Sequence, residues 1–409
     1  MEYKILILTS YYRDYLKYYY SKNKDIIVKT YREQFEHLMY DSFSWTGHYI
    51  KNFSKIGIEA HAIIGNAEPL QKAWALENGA DQKGLQLVLT QIQKYKPEIV
   101  LIQDPIIYNN LWVKSIRENI PSVKMIIGAF CSPFNSRQLE IFKSFDFIIT
   151  CSKFFLDSFI NSGLKTYLIN HAFEVSILEK LTAKKTHEQD LLFIGSLVAT
   201  ADLHDKRISI IEDLLKTDLD FEIYSNLNYD SWSILSLKKI GYFLTKLMIK
   251  SGLNGVVDSN PYLKKIAVLN ESPHNPSYSN KLRKTAQPSL YGLDMYNKLS
   301  TADSVLNIHI GIAGARYAAN IRLFEVTGVG SCLVTDWKEN LYELFIPDEE
   351  VVTFKTSEEC IEKVKWLRDH PEERKKIAEA GKKRTLKDHT YTLRVCMLDE
   401  IIKKELIDN

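Results

Sequence analysis

Short apolar runs alternate with longer stretches in which apolar residues recur at helical spacing, starting at residue 4. Such alternation marks βα units feeding a parallel sheet, whose strands are buried on both faces and read as continuous apolar runs. In the first half it predicts strands over residues 4–8, 58–64, 98–102, 124–129, 147–150 and 166–169. Helices fall between them over 31–55, 84–95, 111–118 and 154–161. Residues 175–189 are polar and lose the pattern after Ile177-Leu178, which suits a linker. The rhythm restarts with strands over 191–194, 221–224, 305–310 and 332–335. Helices there fit 207–215, 290–299, 320–327, 358–369 and 371–387. The expected fold class is α/β, with two doubly wound halves, 1–178 and 179–409, facing each other across a cleft. The last helix is free to pack back on the first domain. Ligands belong at the carboxyl ends of the strands.

One stretch breaks the rhythm. Residues 226–285 contain SWSILSLKKIGYFLTKLMIK, apolar on most faces and carrying four lysines. A helix of this kind suits either an anionic membrane surface or packing on the second domain.

The 409 residues allow two sizeable cores, and 45% apolar with 25% charged residues is ordinary for a globular chain. A net charge of +2 provides no global field that would select nucleic acid. No run is long and apolar enough to span a membrane, and the first residues lack the features of a secretion signal, so a cytoplasmic protein is expected. The five cysteines are scattered and form no CxxC pair, which reads as reduced thiols and neither a disulfide framework nor a zinc site. Glycine is scarce, 17 residues with none before Gly47, whereas tyrosine is abundant at 23. A glycine-rich phosphate loop on the first strand is thereby excluded.

Candidate chemistry concentrates in residues 309–336, HIGIAGARYAANIRLFEVTGVGSCLVTD. The segment reads as strand end, loop, helix, glycine turn and strand. A helix opening near Asn320 offers unpaired N–H groups to an anion, and Arg316 and Arg322 flank it for a diphosphate. Glu325, one turn deeper, suits the two adjacent hydroxyls of a ribose. An Arg322–Glu325 surface ion pair is the alternative reading. Upstream, Gly195 and Ser196 end a strand in a turn that lets backbone approach a phosphate, with Arg207 nearby for charge. His309 ends another strand and could hydrogen-bond the same ligand.

Residues 291–391 resemble the spore-maturation-type (CgeB-like) branch of the group 1 glycosyltransferases. The matching stretches include Tyr291-Gly292-Leu293-Asp294-Met295-Tyr296, Leu306-Asn307-Ile308-His309 and Ala319-Asn320-Ile321-Arg322-Leu323-Phe324-Glu325-Val326-Thr327-Gly328. Leu333-Val334-Thr335-Asp336, His370-Pro371-Glu372-Glu373-Arg374 and His389-Thr390-Tyr391 continue the match in order. The resemblance implies a GT-B fold, two Rossmann-like domains with a nucleotide-sugar donor held mainly by the C-terminal one, without a metal or other cofactor. Glu325 matches the second Glu of the family's Glu-x7-Glu pair, the one that holds the ribose. Tyr317 stands where the first would be.

The acceptor, a glycan or lipid-linked glycan, is then expected at the N-terminal domain. Tyr11, Tyr12, Arg13 and Trp45 are its candidate contacts, in a tyrosine-rich loop and just beyond it, because aromatic rings stack on sugar C–H faces. Asp41, His48 and Asp104 are the candidate bases. Partners are a nucleotide sugar and the acceptor, with peripheral membrane contact open and no nucleic acid. A nucleotide-sugar epimerase or hydrolase, or a non-catalytic nucleotide-sugar-binding protein, remains as an alternative.

Overall fold

The structure, a computed structural model, describes residues 2–183, 189–197, 205–227, 230–269, 271–275, 278–310 and 316–408. Strands β1 (Lys4–Thr9), β2 (Glu59–Ile64), β3 (Ile99–Ile102), β4 (Met125–Ala129), β5 (Phe147–Thr150) and β6 (Thr166–Leu168) form one sheet in the order β2-β1-β3-β4-β5-β6. A second sheet joins β7 (Leu191–Ile194), β8 (Phe221–Tyr224), β9 (Ala286–Gln287), β10 (Ser304–Asn307), β11 (Cys332–Asp336) and β12 (Val352–Phe354) in the order β12-β11-β10-β7-β8-β9. Neighbouring strands run parallel throughout. Ile5, Leu6, Ile7 and Leu8 are all fully buried, as a strand covered by helices on both faces requires. Each sheet reverses its strand order once, at β1/β3 and at β7/β10. Crevices at such switch points are where ligands of open α/β sheets bind.

The domains are joined by two chain crossings that pair with one another. Phe173 N–H donates to His389 O at 2.9 Å, and Tyr391 N–H donates to Phe173 O at 3.1 Å. Gly328 lies against the Phe173 ring so closely that a Cβ would overlap it. Beyond the second crossing, helix Tyr391–Asp408 returns to the first domain, burying Tyr391, Val395, Leu398 and Ile402 in its core. Tyr3 Oη donates to Asp399 Oδ1 at 2.9 Å and fixes the register of that return.

Several expectations need correction. The helix expected over 31–55 is two, Tyr31–Tyr40 and Trp45–Lys55. Thr30 and Glu33 form a capping box at the first, while Ser42 adopts a left-handed φ of 60° and Ser44 caps the second. The tyrosine-rich segment is mostly no loop: Arg13–Lys22 is a helix that buries Tyr15, Leu16 and Tyr19 on one side. The short strands β9 and β12 and helix Glu68–Glu77 are additional to the reading from periodicity. The expectation of five reduced thiols fails, because Cys131 and Cys151 form a disulfide. They follow the ends of the paired strands β4 and β5, an adjacency that a separation of 20 residues does not reveal. Cys332, Cys360 and Cys396 are free.

Within the stretch that broke the rhythm, helices Trp232–Lys250, Asn254–Ser259 and Pro261–Ala267 pack on one another. Among the nineteen residues of the first, only Thr245 is buried. Residues 184–188 of the expected linker and residues 311–315 of the expected donor loop lie outside the described residues.

Candidate active site

The carboxyl ends of the two sheets face one another across a cavity of about 580 Å3. From the second sheet, β7 runs into Gly195-Ser196, and helix Arg322–Val329 brings Arg322 and Glu325 to the wall. The helix opens without a side-chain cap. Glu325 is buried yet borders the cavity, and its carboxylate is already oriented. Tyr296 Oη donates to Oε1 at 3.0 Å, and Arg322 Nη1 pairs with Oε2 at 2.8 Å. The pair is therefore no surface decoration, since the Arg322 and Glu325 side chains are 17% and 7% exposed. A carboxylate has about four lone-pair sites, so the contacts to Tyr296 and Arg322 leave acceptor capacity on both oxygens, although Oε2 is itself buried.

The other donor-side candidates lie around this wall. Arg207 is buried beneath it, donating from Nε to Ile308 O at 3.1 Å and from Nη1 to Ser196 O at 2.8 Å. It thus ties the ends of β7 and β10 together at the switch point of the second sheet. Asn320 Nδ2 donates to Asn307 Oδ1 at 3.0 Å, holding the approach to the Arg322 helix against the end of β10. His309 is buried with Nδ1 at 2.6 Å from Asp336 Oδ1. Burial would raise the Asp336 carboxyl, but His309 and Lys338 outweigh it and hold the group at about 2. Arg316 is exposed and pairs with Glu339 at 2.5 Å on the surface. Tyr317, at the position of the family's first Glu, carries Lys153 of the N-terminal domain 5.5 Å over its ring.

The N-terminal side of the cavity is built by Tyr11, Tyr12, Arg13, Trp45 and Gln103. Tyr11 is buried, and Tyr12 is 72% exposed. Tyr15 and Tyr18 of helix Arg13–Lys22 form a seam between the domains. Tyr15 stacks on Phe43 with ring centroids 3.6 Å apart, and Tyr291 of the C-terminal domain meets Tyr15, Tyr18 and Phe43 edge-on. Gln103 was not among the candidates read from the sequence, yet it lines the cavity. Here Thr9 Oγ1 and Thr46 Oγ1 both donate to its Oε1, at 2.7 and 2.9 Å, which fixes the amide at the cavity wall.

A second cavity of about 370 Å3 continues over the first sheet and shares Ser10, Tyr12, Trp45, Gln103 and His171 with the first. Asp104 lines it, at the carboxyl end of β3 beside the Cys131–Cys151 disulfide. Burial raises the Asp104 carboxyl above the ordinary range, with backbone N–H groups of Ile107 and Ile106 partly opposing. Burial pushes His171 down to about 4, aided by Arg394, so its imidazole is neutral at pH 7.

The other two base candidates sit elsewhere. Asp41 Oδ2 accepts from Tyr15 Oη at 2.8 Å, and Oδ1 accepts from Leu293 N–H at 3.4 Å. It thus binds the start of helix Gly292–Ser300 across the domain seam. Gly292 has φ of +53°, and a Cβ there would collide with the Asp41 carboxylate. Burial raises Asp41 to about 6. His48 is buried in helix Trp45–Lys55, 4.9 Å from the Tyr391 ring, and burial lowers it to about 4.

Two parallel sheets facing across a cleft, with an exchanged last helix, match solved structures over almost the whole chain. The fold is GT-B. An α-glucosyltransferase in complex with UDP and a 13-mer DNA containing an HMU base aligns with a TM-score of 0.57 at 11% identity, covering 98% of this chain and 100% of that one. Sucrose-phosphate synthase from Thermosynechococcus elongatus gives 0.54 at 9% identity, covering 99% and 100%. The Anabaena protein Alr3699/HepE in complex with UDP-glucose gives 0.51 at 10% identity, covering 98% and 100%. Residues 259–400 match a family model described as glycosyl transferase-like. No curated protein sequence matches the chain. The GT-B domain that the family model spans contains Arg322, Glu325 and the cleft wall around them.

Proposed function

We propose that this GT-B protein transfers a sugar from a nucleotide-sugar donor to a glycan or lipid-linked glycan acceptor, without a metal ion. The observation that carries the reading is the Tyr296–Glu325–Arg322 arrangement on one wall of a cleft whose other wall is aromatic and amide-bearing. Glu325 accepts the two ribose hydroxyls. Arg322, with Arg13 from the opposite wall and the backbone at Gly195-Ser196, balances the diphosphate as charge builds on the leaving group. Arg207 and Asn320 act through position, by fixing the strand ends. UDP and UDP-glucose, bound by the Anabaena neighbour, are the first nucleotides to try.

On the acceptor side, Tyr12 and Trp45 offer ring faces to sugar C–H groups where the two cavities meet. Asp104 takes the proton from the attacking hydroxyl, because of the three candidates only it lines the smaller cavity. A carboxyl raised by burial suits that task, because it holds the proton better than a surface Asp. The setting is surface-glycan synthesis of the CgeB-like kind, at the inner face of the cytoplasmic membrane.

A thermal-shift screen of nucleoside diphosphates and nucleotide sugars tests the donor half. A stabilisation by at least one nucleotide, lost in Glu325→Gln, is expected; no shift with any of them refutes the reading.

A further inference from the structure

Helix Trp232–Lys250 is inverted relative to the usual globular arrangement. A surface helix normally turns its apolar stripe inward and its polar residues to water. Here the one buried residue is Thr245, while Leu237, Ile240, Leu244 and Leu247 are each more than half exposed. Their spacing of three, four and three residues places them on one face, and Phe243 stands beside them at 71% exposed. The nineteen residues extend roughly 28 Å, so the stripe is long. No helix of the described residues is long and apolar enough to cross a membrane.

Charge complementarity identifies what covers this face. Residues 232–268 carry six lysines and one acidic residue, whereas the whole chain is only +2. Lys239, Lys250 and Lys265 are exposed in the same helical group. Apolar residues flanked by lysines are the pattern of a helix lying in the headgroup region of an anionic bilayer. Lys238 is already paired with Asp230 at 2.6 Å, and a protein partner of ordinary polarity would leave the remaining excess positive charge without counterions of its own.

The placement relative to the cleft gives the contact a purpose. Arg137 of the N-terminal domain donates to Asn254 Oδ1 at 2.6 Å and lies 3.7 Å from Asp258, so the helical group reaches across to the first domain. Lys265 is near enough to Asp104 to favour its ionised form. We infer that helices Trp232–Lys250, Asn254–Ser259 and Pro261–Ala267 are a docking face for an anionic lipid surface. Docked there, the protein holds the Asp104 cavity beside the bilayer, where a lipid-linked acceptor presents its head group. The inference extends the transferase reading, but the binding itself is measured without turnover.

The test is co-sedimentation of the full chain with phosphatidylcholine vesicles containing or lacking 30% phosphatidylglycerol, a composition chosen for the assay. Binding to the anionic vesicles is expected to be at least roughly ten-fold tighter than to neutral ones and to weaken with salt. Lys239→Glu combined with Lys250→Glu is expected to weaken it by about 25-fold or more, at about five-fold for each lysine lost. Leu237→Ser, Ile240→Ser, Leu244→Ser and Leu247→Ser together are expected to abolish it, with thermal stability and nucleotide affinity unchanged because these side chains are exposed. Equal binding to both vesicle types overturns the charge argument. No binding to either, with the face instead mediating self-association in ultracentrifugation, overturns the inference and leaves the donor-site reading intact.

Discussion

Replacing Glu325 with Gln keeps the side chain's size and its hydrogen bond with Tyr296, but removes one acceptor oxygen and the charge facing Arg322. Of the two lone-pair sites assigned to the ribose, the amide nitrogen cannot supply one. A hydrogen bond to a charged group contributes about 1.5–3 kcal/mol. The affinity for a nucleoside diphosphate is therefore expected to fall roughly 10- to 150-fold. Inorganic diphosphate lacks the ribose and should bind as well as before or better, because Arg322 has lost its counter-charge. Isothermal titration with both ligands separates the two effects. Removing one partner of a buried pair costs about 3–5 kcal/mol at worst, so the titration belongs well below the variant's melting temperature. Equal weakening of both ligands would mean that Glu325 acts only by positioning Arg322. Unchanged affinity for the nucleotide would refute the ribose assignment altogether.

Asp104→Asn should lower kcat by about 10²–10⁴-fold and remove the acid limb of the pH–rate profile, whereas Asp41→Asn should change kcat by less than about three-fold. The same Asp41→Asn variant should be more stable than the parent at pH 8 but not at pH 4. Asp41 titrates at about 6 in the folded chain, so the stability it contributes below the unfolded pKa is lost as pH rises through 6. Paired melting curves at the two pH values check this. His48 and His389 are both buried and lowered to about 4. Their contribution is complete above the unfolded pKa near 6.5 and is lost as pH falls toward 4, on the order of a few kcal/mol in all, so denaturant midpoints should drop steeply over that window. Alkylation of the denatured, unreduced chain should label Cys332, Cys360 and Cys396 only, and all five cysteines after reduction. Cys131→Ser with Cys151→Ser should destabilise the chain by about 3 kcal/mol, from closure of a 20-residue loop.

Strand identity was legible because parallel strands covered on both faces need unbroken apolar runs, and β5, β7 and β8 match their predicted limits. Helix Gly84–Tyr95 was equally readable from its period. The errors lie where local and tertiary signals part. Tyrosine is both apolar and polar, so the Arg13–Lys22 helix carries no clean stripe, and tertiary partners such as Phe43, His37 and Tyr291 define its buried side. β9 has two residues and exists because β8 offers it an edge.

The candidate site divides along the same line. The sequence alone identified Arg322 and Glu325, because residues three apart on a helix share a face and a family pattern surrounds them. It also put Tyr11, Tyr12, Arg13 and Trp45 on the opposite domain, and all four line the cleft. It could not rank Asp41, His48 and Asp104, since each is a plausible proton acceptor until its neighbours are known. Burial and hydrogen-bond partners belong to the packed chain: Tyr15 and Leu293 claim Asp41, and Tyr391 covers His48. Only the tertiary structure shows Gln103 fixed by two threonines, Arg207 joining two strand ends, and a disulfide between neighbouring strands. Periodicity records which residues leave water, but which of them meet is decided by strand order and chain crossing, and no local pattern encodes either.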